Sequence, residues 1–472
     1  MVESQAADAT SEEVGVPDWT YVPLRRPAER VLGASRAHQW ALGSLSGLAR
    51  LPAGASTIRA FLHDRAPAGI TERLGAVVPP ESLSAAARAL PPLGAGVVLL
   101  SSQVLPTDVV LDDPDPTVAA RLLSEPGVRV LASTRLLVRA GPGWFQRVAE
   151  ATLADQPVEP APTLRAVPQV RFWRWPGWFW GLLLGVGMVV AGLAAAAITL
   201  GPVLLSYDRE YLRADRAGLN ALNPNLIHFL QHDRLTLAGT MVSIGVLYAA
   251  LAWNGLRMGR RWARTALLAS GCVGFPTLLY YLGTGFFDPL HAFAAAVLFP
   301  MFVLAVALPP ESRHWQPSAP GPVNERERAL LGQLIMIAVG VGLLVGGIVI
   351  STVGLNGVYV PTDLTFLHTH VRDIRTANPR LPGFIAHDRA GFGGALASAA
   401  VAIVLLCAWG WRRGETWVWW TLAAAAVSGF GPTIAIHLAI GYDDLEHIGP
   451  VIVAGILTAT ALALSRPYLG HK

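Results

Sequence analysis

The pattern of hydrophobic and polar positions divides the chain at about residue 170. Before that point, apolar positions are mixed with charged residues and prolines, which is typical of a soluble domain. After it, long apolar runs alternate with short polar segments, and a membrane helix needs about 20 mostly apolar residues. These runs predict eight membrane helices, at 178–203, 236–254, 265–283, 291–309, 330–354, 391–409, 417–440 and 448–465. We therefore expect an all-α polytopic membrane protein preceded by a small α/β domain.

The polar N-terminal region contains patterns for short helices and strands. Residues 1–17 are small and acidic without periodicity, so we expect them to be disordered. Residues 18–165 are expected to form a cytosolic α/β domain. Helical patterns occur at 36–50, 55–64, 82–90 and 143–153, and buried strand patterns at 96–100 and 128–131.

A twelve-residue polar pattern occurs twice in the apolar region. The first motif is Asn223-Pro224-x-Leu226-x-x-Phe229-Leu230-x-His232-Asp233-Arg234, and the second is Asn378-Pro379-x-Leu381-x-x-Phe384-Ile385-x-His387-Asp388-Arg389. Their offset is 155 (378 − 223). An Asp-x-x-His follows each motif, at Asp288–His291 and Asp444–His447, with an offset of 156 (444 − 288). Matches at so many polar positions predict a duplicated unit.

The duplication predicts how the eight helices are grouped. Residues 177–309 and 330–465 would form two four-helix repeats, joined by a cytosolic linker at 310–329 and followed by a tail at 466–472. Four spans per unit is an even number, so the two units should be parallel rather than inverted. Gly181-x-x-x-Gly185 and Gly342-x-x-x-Gly346 in the first helix of each unit predict close helix packing.

Composition and charge support a membrane location. The chain is 53% hydrophobic and 14% charged, whereas soluble proteins carry about 25% charged residues. A net charge of +4 argues against a nucleic-acid partner. The loops between spans 2 and 3, 4 and 5, and 6 and 7 are rich in arginine, which places them and both termini in the cytoplasm of a multi-pass cell-membrane protein. The expected partners are the lipid bilayer and a further membrane protein or second copy.

The same topology places both motifs on the outer side, where they supply candidate site residues. The ligand-binding candidates are His232, Asp233, Arg234, Asp288, His291, His387, Asp388, Arg389, Asp444 and His447. Within each unit, the His-Asp-Arg and the Asp-x-x-His are expected to meet at the outer end of the bundle. Two histidines with carboxylates suit Zn²⁺ or Fe²⁺, so the metal candidates are His232, His291, His387 and His447.

Other roles for these residues remain open. The aspartates precede apolar helices, where a carboxylate caps free N–H groups. The arginines suit either an anionic group, such as a lipid headgroup, or an ion pair with aspartate. Histidines without a counterpart in the other copy are interpreted as interfacial; they are His228, His368, His370 and His437. The cofactor is left unknown, with a divalent metal among the candidates.

Two groups of residues in the soluble domain are similar to a known enzyme family. The first group is Arg36-Ala37-His38 with Ala89-Leu90-Pro91-Pro92-Leu93-Gly94-Ala95-Gly96-Val97; the second runs from Gly127-Val128-Arg129-Val130-Leu131 through Thr134 to Gly141-Pro142-Gly143. They resemble the N-terminal part and the C-terminal end of class 2, quinone-dependent dihydroorotate dehydrogenase. The family's catalytic serine segment, its flavin-contacting lysine and its phosphate loop have no counterpart, and a complete barrel needs about 250 residues. The resemblance therefore implies an incomplete barrel remnant that binds no FMN, with no catalytic residue to assign.

The membrane region is similar to uncharacterised bacterial membrane proteins with the repeated motif, and that similarity implies no activity. Three functions remain open. The chain is a non-enzymatic protein that binds a ligand or metal ion on its outer side, a membrane redox protein related to the dehydrogenase, or a structural subunit of a membrane complex.

Overall fold

The N-terminal region folds around a small parallel sheet. The computed structural model describes residues 18–60, 69–141, 143–152, 158–169, 171–316 and 323–470. The strands are β1 (Leu74–Val77), β2 (Val97–Leu99), β3 (Asp108–Leu111) and β4 (Arg129–Ala132), and their spatial order is β2-β1-β4-β3. All three pairings are parallel. The helices are α1 (Asp18–Leu32), α2 (Ala34–Arg50), α3 (Gly54–Ala60), α4 (Leu83–Ala89), α5 (Pro116–Ser124), α6 (Thr134–Ala140) and α7 (Trp144–Ala151).

The predicted elements of this region are present, but two strands had no prediction. The predicted strands correspond to β2 and β4, and the predicted helices to α2, α3, α4 and α7. Strand β1 contains a Gly-Ala pair, and β3 begins at an aspartate, and all three are weak strand formers. The predicted disorder at 1–17, and the predicted helical residues 61–64, lie outside the described residues.

The remaining chain forms long apolar helices connected by short ones. The long helices are α8 (Gly177–Leu200), α11 (Leu226–Ala250), α12 (Arg261–Thr277), α14 (Pro289–Ala307), α15 (Val323–Asn356), α18 (Leu381–Gly410), α19 (Thr416–Ile440) and α20 (Leu445–Leu469). The short ones are α9 (Ser206–Leu212), α10 (Arg216–Leu222), α13 (Tyr281–Thr284), α16 (Pro361–Phe366) and α17 (Val371–Ala377). Within the described residues, all the long helices except α12 are long and apolar enough to cross a membrane, which makes seven candidate spans.

The predicted third span is the exception. Helix α12 has 17 residues, and a 3₁₀ turn at Leu278–Tyr280 and helix α13 follow it. Pro276 lies in its last turn, and proline removes a helical hydrogen bond. Pro432, at an offset of 156 (432 − 276), lies inside α19, which continues unbroken to Ile440. Proline alone therefore does not account for the break.

Helices α11 and α18, which carry the two motifs, form the centre of the bundle. In the most apolar 18-residue stretch of α11, 67% of the residues are buried, and in that of α18, 61%. The corresponding values for the other candidate spans are 17–33%. Helix α8 packs on α11 as α15 packs on α18, and α19 packs on α11 as α12 packs on α18. The outer helices therefore keep one face free for lipid.

Glycines on the outer helices allow close approach to the central pair. A Cβ atom at Gly185 would lie 2.4 Å from a backbone nitrogen of α11, and one at Gly347 would lie 2.7 Å from a backbone nitrogen of α18. The predicted contact at Gly342 and Gly346 is wrong, because a Cβ there would meet nothing within 4 Å. The contact residues of α15 are instead spaced by seven, at Gly340, Gly347 and Gly354.

The soluble region packs against one end of the bundle. Asp18 on α1 is fully buried and accepts hydrogen bonds from Gly143 N–H at 2.9 Å and from Arg326 Nη2 on α15 at 2.8 Å. Arg412, which follows α18, donates to Glu150 on α7 at 2.7 Å. Because α18 runs from the second motif to Arg412, the motifs lie at the opposite end of the bundle.

Candidate functional site

The two motifs contact each other through crossed ion pairs. Arg234 Nε lies 2.6 Å from Asp388 Oδ2, and Arg389 Nη2 lies 3.2 Å from Asp233 Oδ2. Each arginine of one motif is thus bound to the aspartate of the other. Asp233, Asp388 and Arg389 are buried, between 4% and 6% exposed, and Arg234 is partly buried.

Each arginine also holds the loop that precedes its own helix. Arg234 donates to the Val203 carbonyl at 2.7 Å, and Arg389 donates to the Val358 carbonyl at the same distance. Val203 and Val358 have φ angles of 65° and 69°, which is strained backbone for a β-branched residue. The two valines are again 155 residues apart (358 − 203).

A second carboxylate binds each arginine from the connecting helices. Asp208 on α9 lies 3.4 Å from Arg234, and Asp363 on α16 pairs with Arg389. Burial opposes ionisation of Asp363, but Arg389 and hydrogen bonds from Val360 N–H and Tyr442 outweigh it and hold the pKa of Asp363 below its usual range. Burial raises the pKa of Asp208 above its usual range despite Arg234. The two arginine environments are therefore similar in geometry, while the pKa values of their second carboxylates shift in opposite directions.

The asparagines of the motifs join the two halves in the same crossed manner. Asn223 donates from Nδ2 to the Leu367 carbonyl at 2.6 Å, and Asn378 donates to the Leu212 carbonyl at 3.0 Å. The side-chain oxygens accept the N–H two residues ahead, at 2.8 and 3.0 Å, where helices α11 and α18 begin. Each asparagine side chain therefore both holds the start of its own helix and binds the opposite half of the bundle.

Three histidines converge beside the first motif, and we call them the three-histidine cluster: His232, His437 and His447. One ring nitrogen of each lies within 4.8 Å of those of the other two. His232 Nδ1 contacts the Phe229 carbonyl, and His437 Nδ1 lies 2.7 Å from the Thr433 carbonyl. A carbonyl can only accept, so each Nδ1 carries a proton, and in the neutral ring Nε2 is the nitrogen with a lone pair to offer a metal.

The surroundings of this cluster are polar and hydrogen-bonded. His447 Nδ1 lies 3.3 Å from the Tyr442 hydroxyl, which donates to Asp363 Oδ1 at 2.8 Å. Burial and then the Asp363 carboxylate raise the pKa of Tyr442, which keeps its hydroxyl protonated. Asp233 Oδ1 lies 3.4 Å from His232 Nε2 and places a carboxylate beside the cluster.

A second group lies beside the second motif, and we call it the aspartate–histidine cluster: Asp288, His291 and His387. One ligating atom of each lies within 4.8 Å of the others, and His291 Nδ1 is 3.3 Å from His387 Nε2. Asp288 Oδ1 caps α14 by accepting from Leu290 and His291 N–H at 2.9 and 3.0 Å. The Tyr207 hydroxyl donates to the same oxygen at 2.9 Å.

The grouping of the candidate residues differs from the prediction. His232 lies with His447 and His387 lies with His291, so histidines meet across the two motif copies rather than within one. Asp233 and Asp388 lie inside α11 and α18 and cap neither helix, while Asp444 is exposed and makes no side-chain cap. Only Asp288 caps a helix as predicted.

His437, interpreted from the sequence as an interfacial residue, is a member of the three-histidine cluster. It is buried, with 4% of its surface exposed. Aligning the copies at the Asp-x-x-His offset places it opposite Tyr281 (437 − 156 = 281), so the repeat gives no histidine counterpart that could have identified it.

Comparisons of the chain with protein families, with curated proteins and with solved structures found no match.

Proposed function

We propose that the chain is an eight-span membrane protein made of two parallel copies of a four-helix unit that exchange contacts at one end. The crossed arginine and asparagine contacts support this, as do the strained valines that each arginine binds in its own half, since the residues involved recur at an offset of 155. Helix α12 packs on α18 as α19 packs on α11. By this equivalence α12, its 3₁₀ turn and α13 together cross the bilayer as the unbroken α19 does.

We propose that the motif end of the bundle faces outward and the soluble region faces the cytoplasm. The arginines of alternate loops lie at the end where Arg326 and Arg412 contact the soluble region. Cytoplasmic loops carry an excess of basic residues. The predicted multi-pass location in the cell membrane, with cytoplasmic termini, follows from this bias.

We propose that the protein binds one divalent transition-metal ion at the three-histidine cluster. It would act as a binding protein and not as an enzyme. The observation that carries the proposal is the pair of backbone carbonyls that accept from Nδ1 of His232 and His437, so that in the neutral rings Nε2 is the nitrogen left to bind a metal. Metal-bound histidines characteristically donate their other ring N–H to a carbonyl or carboxylate in this way. Three imidazoles with an open fourth position are an established Zn²⁺ arrangement.

The crossed ion pairs make an organic anion the weaker alternative. Arg234 and Arg389 are each bound by carboxylates and a backbone carbonyl, so their charge is already balanced within the protein. The histidines, by contrast, bring one possible ligand nitrogen each to within 4.8 Å of one another.

Metal analysis of the purified protein tests this function. After dialysis against micromolar Zn²⁺, the His437→Ala variant is expected to hold one Zn²⁺ fewer per chain than wild type, because one of three ligands is lost. His228→Ala is the matched control, since His228 is exposed on the same end of α11 and should leave the metal content unchanged. Equal zinc content in wild type and His437→Ala would remove the proposal.

We propose that the soluble region is a remnant of a dehydrogenase-like barrel without FMN or dihydroorotate oxidation. In a closed parallel barrel the first and last strands are neighbours, and here the first strand, β1, pairs with the last, β4. The order β2-β1-β4-β3 is what remains if the middle of such a barrel is deleted. Stoichiometric FMN in the visible spectrum of the same purified protein would contradict this.

A further inference from the structure

We infer that the aspartate–histidine cluster is a second metal site, chemically different from the first. This inference rests on the proposed metal-binding function and extends it to Asp288, His291 and His387. His291 Nδ1 and His387 Nε2 are 3.3 Å apart. Two nitrogens that each lie about 2.0–2.1 Å from a tetrahedral metal are about 3.3–3.4 Å apart, so these two rings already have the spacing of a bound pair.

The supporting contacts prepare each side chain for this role. His387 Nδ1 lies 3.1 Å from Asp388 Oδ1, which leaves Nε2 directed at His291. A carboxylate behind a histidine fixes its tautomer and raises its basicity as a ligand. Asp388 is held in turn by Arg234 at 2.6 Å. The second site is therefore oriented by the arginine of the first motif.

The third ligand gives the second site its different character. Asp288 Oδ1 is occupied by the helix cap and by Tyr207, so Oδ2 is the oxygen that would face a metal. The Tyr207 hydroxyl donates to Oδ1 and steadies the Asp288 side chain. Two imidazoles and one carboxylate bring one negative charge, whereas the three-histidine cluster brings none.

This difference predicts different metal preferences at the two sites. Carboxylate oxygen suits harder cations such as Mn²⁺ and Fe²⁺ better than imidazole alone does. We expect Zn²⁺ to occupy both sites and Mn²⁺ to prefer the aspartate–histidine cluster.

Zinc counting on single and double variants tests the second site in the full-length protein in detergent. Wild type is expected to bind two Zn²⁺ per chain, His291→Ala one, His437→Ala one and the double variant none. Asp288→Asn keeps an oxygen for the helix cap and removes the charge, so it should weaken Mn²⁺ binding at least tenfold while leaving Zn²⁺ at the first site. His370→Ala, at an exposed position of the same end, is the control.

The possible outcomes separate this inference from the proposed function. One Zn²⁺ in wild type, lost in His437→Ala and kept in His291→Ala, would overturn the second site and leave the first standing. One Zn²⁺ lost in His291→Ala and kept in His437→Ala would do the reverse. No Zn²⁺ in folded wild type would overturn both. If His291→Ala does not fold, unchanged Mn²⁺ affinity in Asp288→Asn would overturn the second site.

Discussion

Each motif divides its three polar residues between two clusters. His232 and Asp233 lie at the three-histidine cluster, whereas the neighbouring Arg234 holds Asp388 at the other cluster. The second motif does the same in reverse through Arg389 and Asp233. A buried ion pair adds little net stability because both charges lose water, but removal of one partner is costly. The crossed pairs therefore determine the alignment of the two halves more than they contribute to the net stability of their contact.

The crossed pairs predict a large effect from one arginine. Arg389→Ala leaves Asp233 and Asp363 buried beside no cation, so it should destabilise the protein by about 3–5 kcal/mol. The measurement is the midpoint of thermal unfolding in detergent. Arg372→Ala, at an exposed position on α17, is the control and should shift the midpoint little.

A double variant tests the crossed partner directly. Asp233→Asn in the Arg389→Ala background removes one of the uncompensated charges, so it should restore part of the lost stability. Additive losses in the double variant would show that Arg389 and Asp233 do not interact.

The sequence identified most of the cluster residues but not their pairing. The offset of 155 shows which positions of the two copies are equivalent. It does not show whether a histidine contacts residues of its own copy or of the other copy, because both arrangements give the same sequence pattern. The exchange of partners is visible only in coordinates. His437 lacks a histidine counterpart, so a search for repeated residues cannot find it.

At the scale of the helix, the motif residues belong to the membrane helices themselves. Helices α11 and α18 begin at Leu226 and Leu381, ten residues before the predicted spans at 236 and 391. Hydropathy counts His, Asp and Arg as separate polar residues and ends the span there. Paired with each other and buried between helices, they are compatible with the centre of a bundle. The sequence could not show this, because it does not reveal which residue forms an ion pair with each charged side chain.

The glycine spacing of α15 predicts a contrast between adjacent positions. Gly347→Leu should destabilise the bundle by about 1–3 kcal/mol or more, because a side chain there enters the backbone of α18. Gly346→Leu is the matched control, since the same side chain points to open space beside the bundle. Thermal unfolding of the two variants in detergent measures the contrast. Equal destabilisation would mean that α15 is rotated relative to its described position.

At the scale of the molecule, the division into a soluble region and a helical bundle was predictable from hydropathy, and their contact was not. Asp18, buried between Arg326 and the start of α7, lies next to residues that the sequence pattern assigns to disorder. A single aspartate near a polar segment carries no sign of a partner 308 residues away. In the sequence pattern, the arginine of this contact indicates only membrane sidedness.

Sidedness tests whether α12 and its extension cross the membrane. Eight crossings return the chain to the side of the soluble region, whereas seven would leave Lys472 on the opposite side. Gly414 N–H, two residues after Arg412, donates to the Tyr468 carbonyl at 3.0 Å, so α20 ends near the arginines that bind the soluble region. A fluorescent reporter fused after Lys472 should therefore be active in the cytoplasm.

Cysteine labelling tests the same orientation in a Cys272→Ser/Cys407→Ala background. A cysteine at the exposed position 368 should react with an impermeant maleimide from outside. A cysteine at the exposed position 171 should react only after permeabilisation. Labelling of position 171 but not of position 368 from outside would exclude cytoplasmic termini and would place the motif end, with the two metal sites, in the cytoplasm.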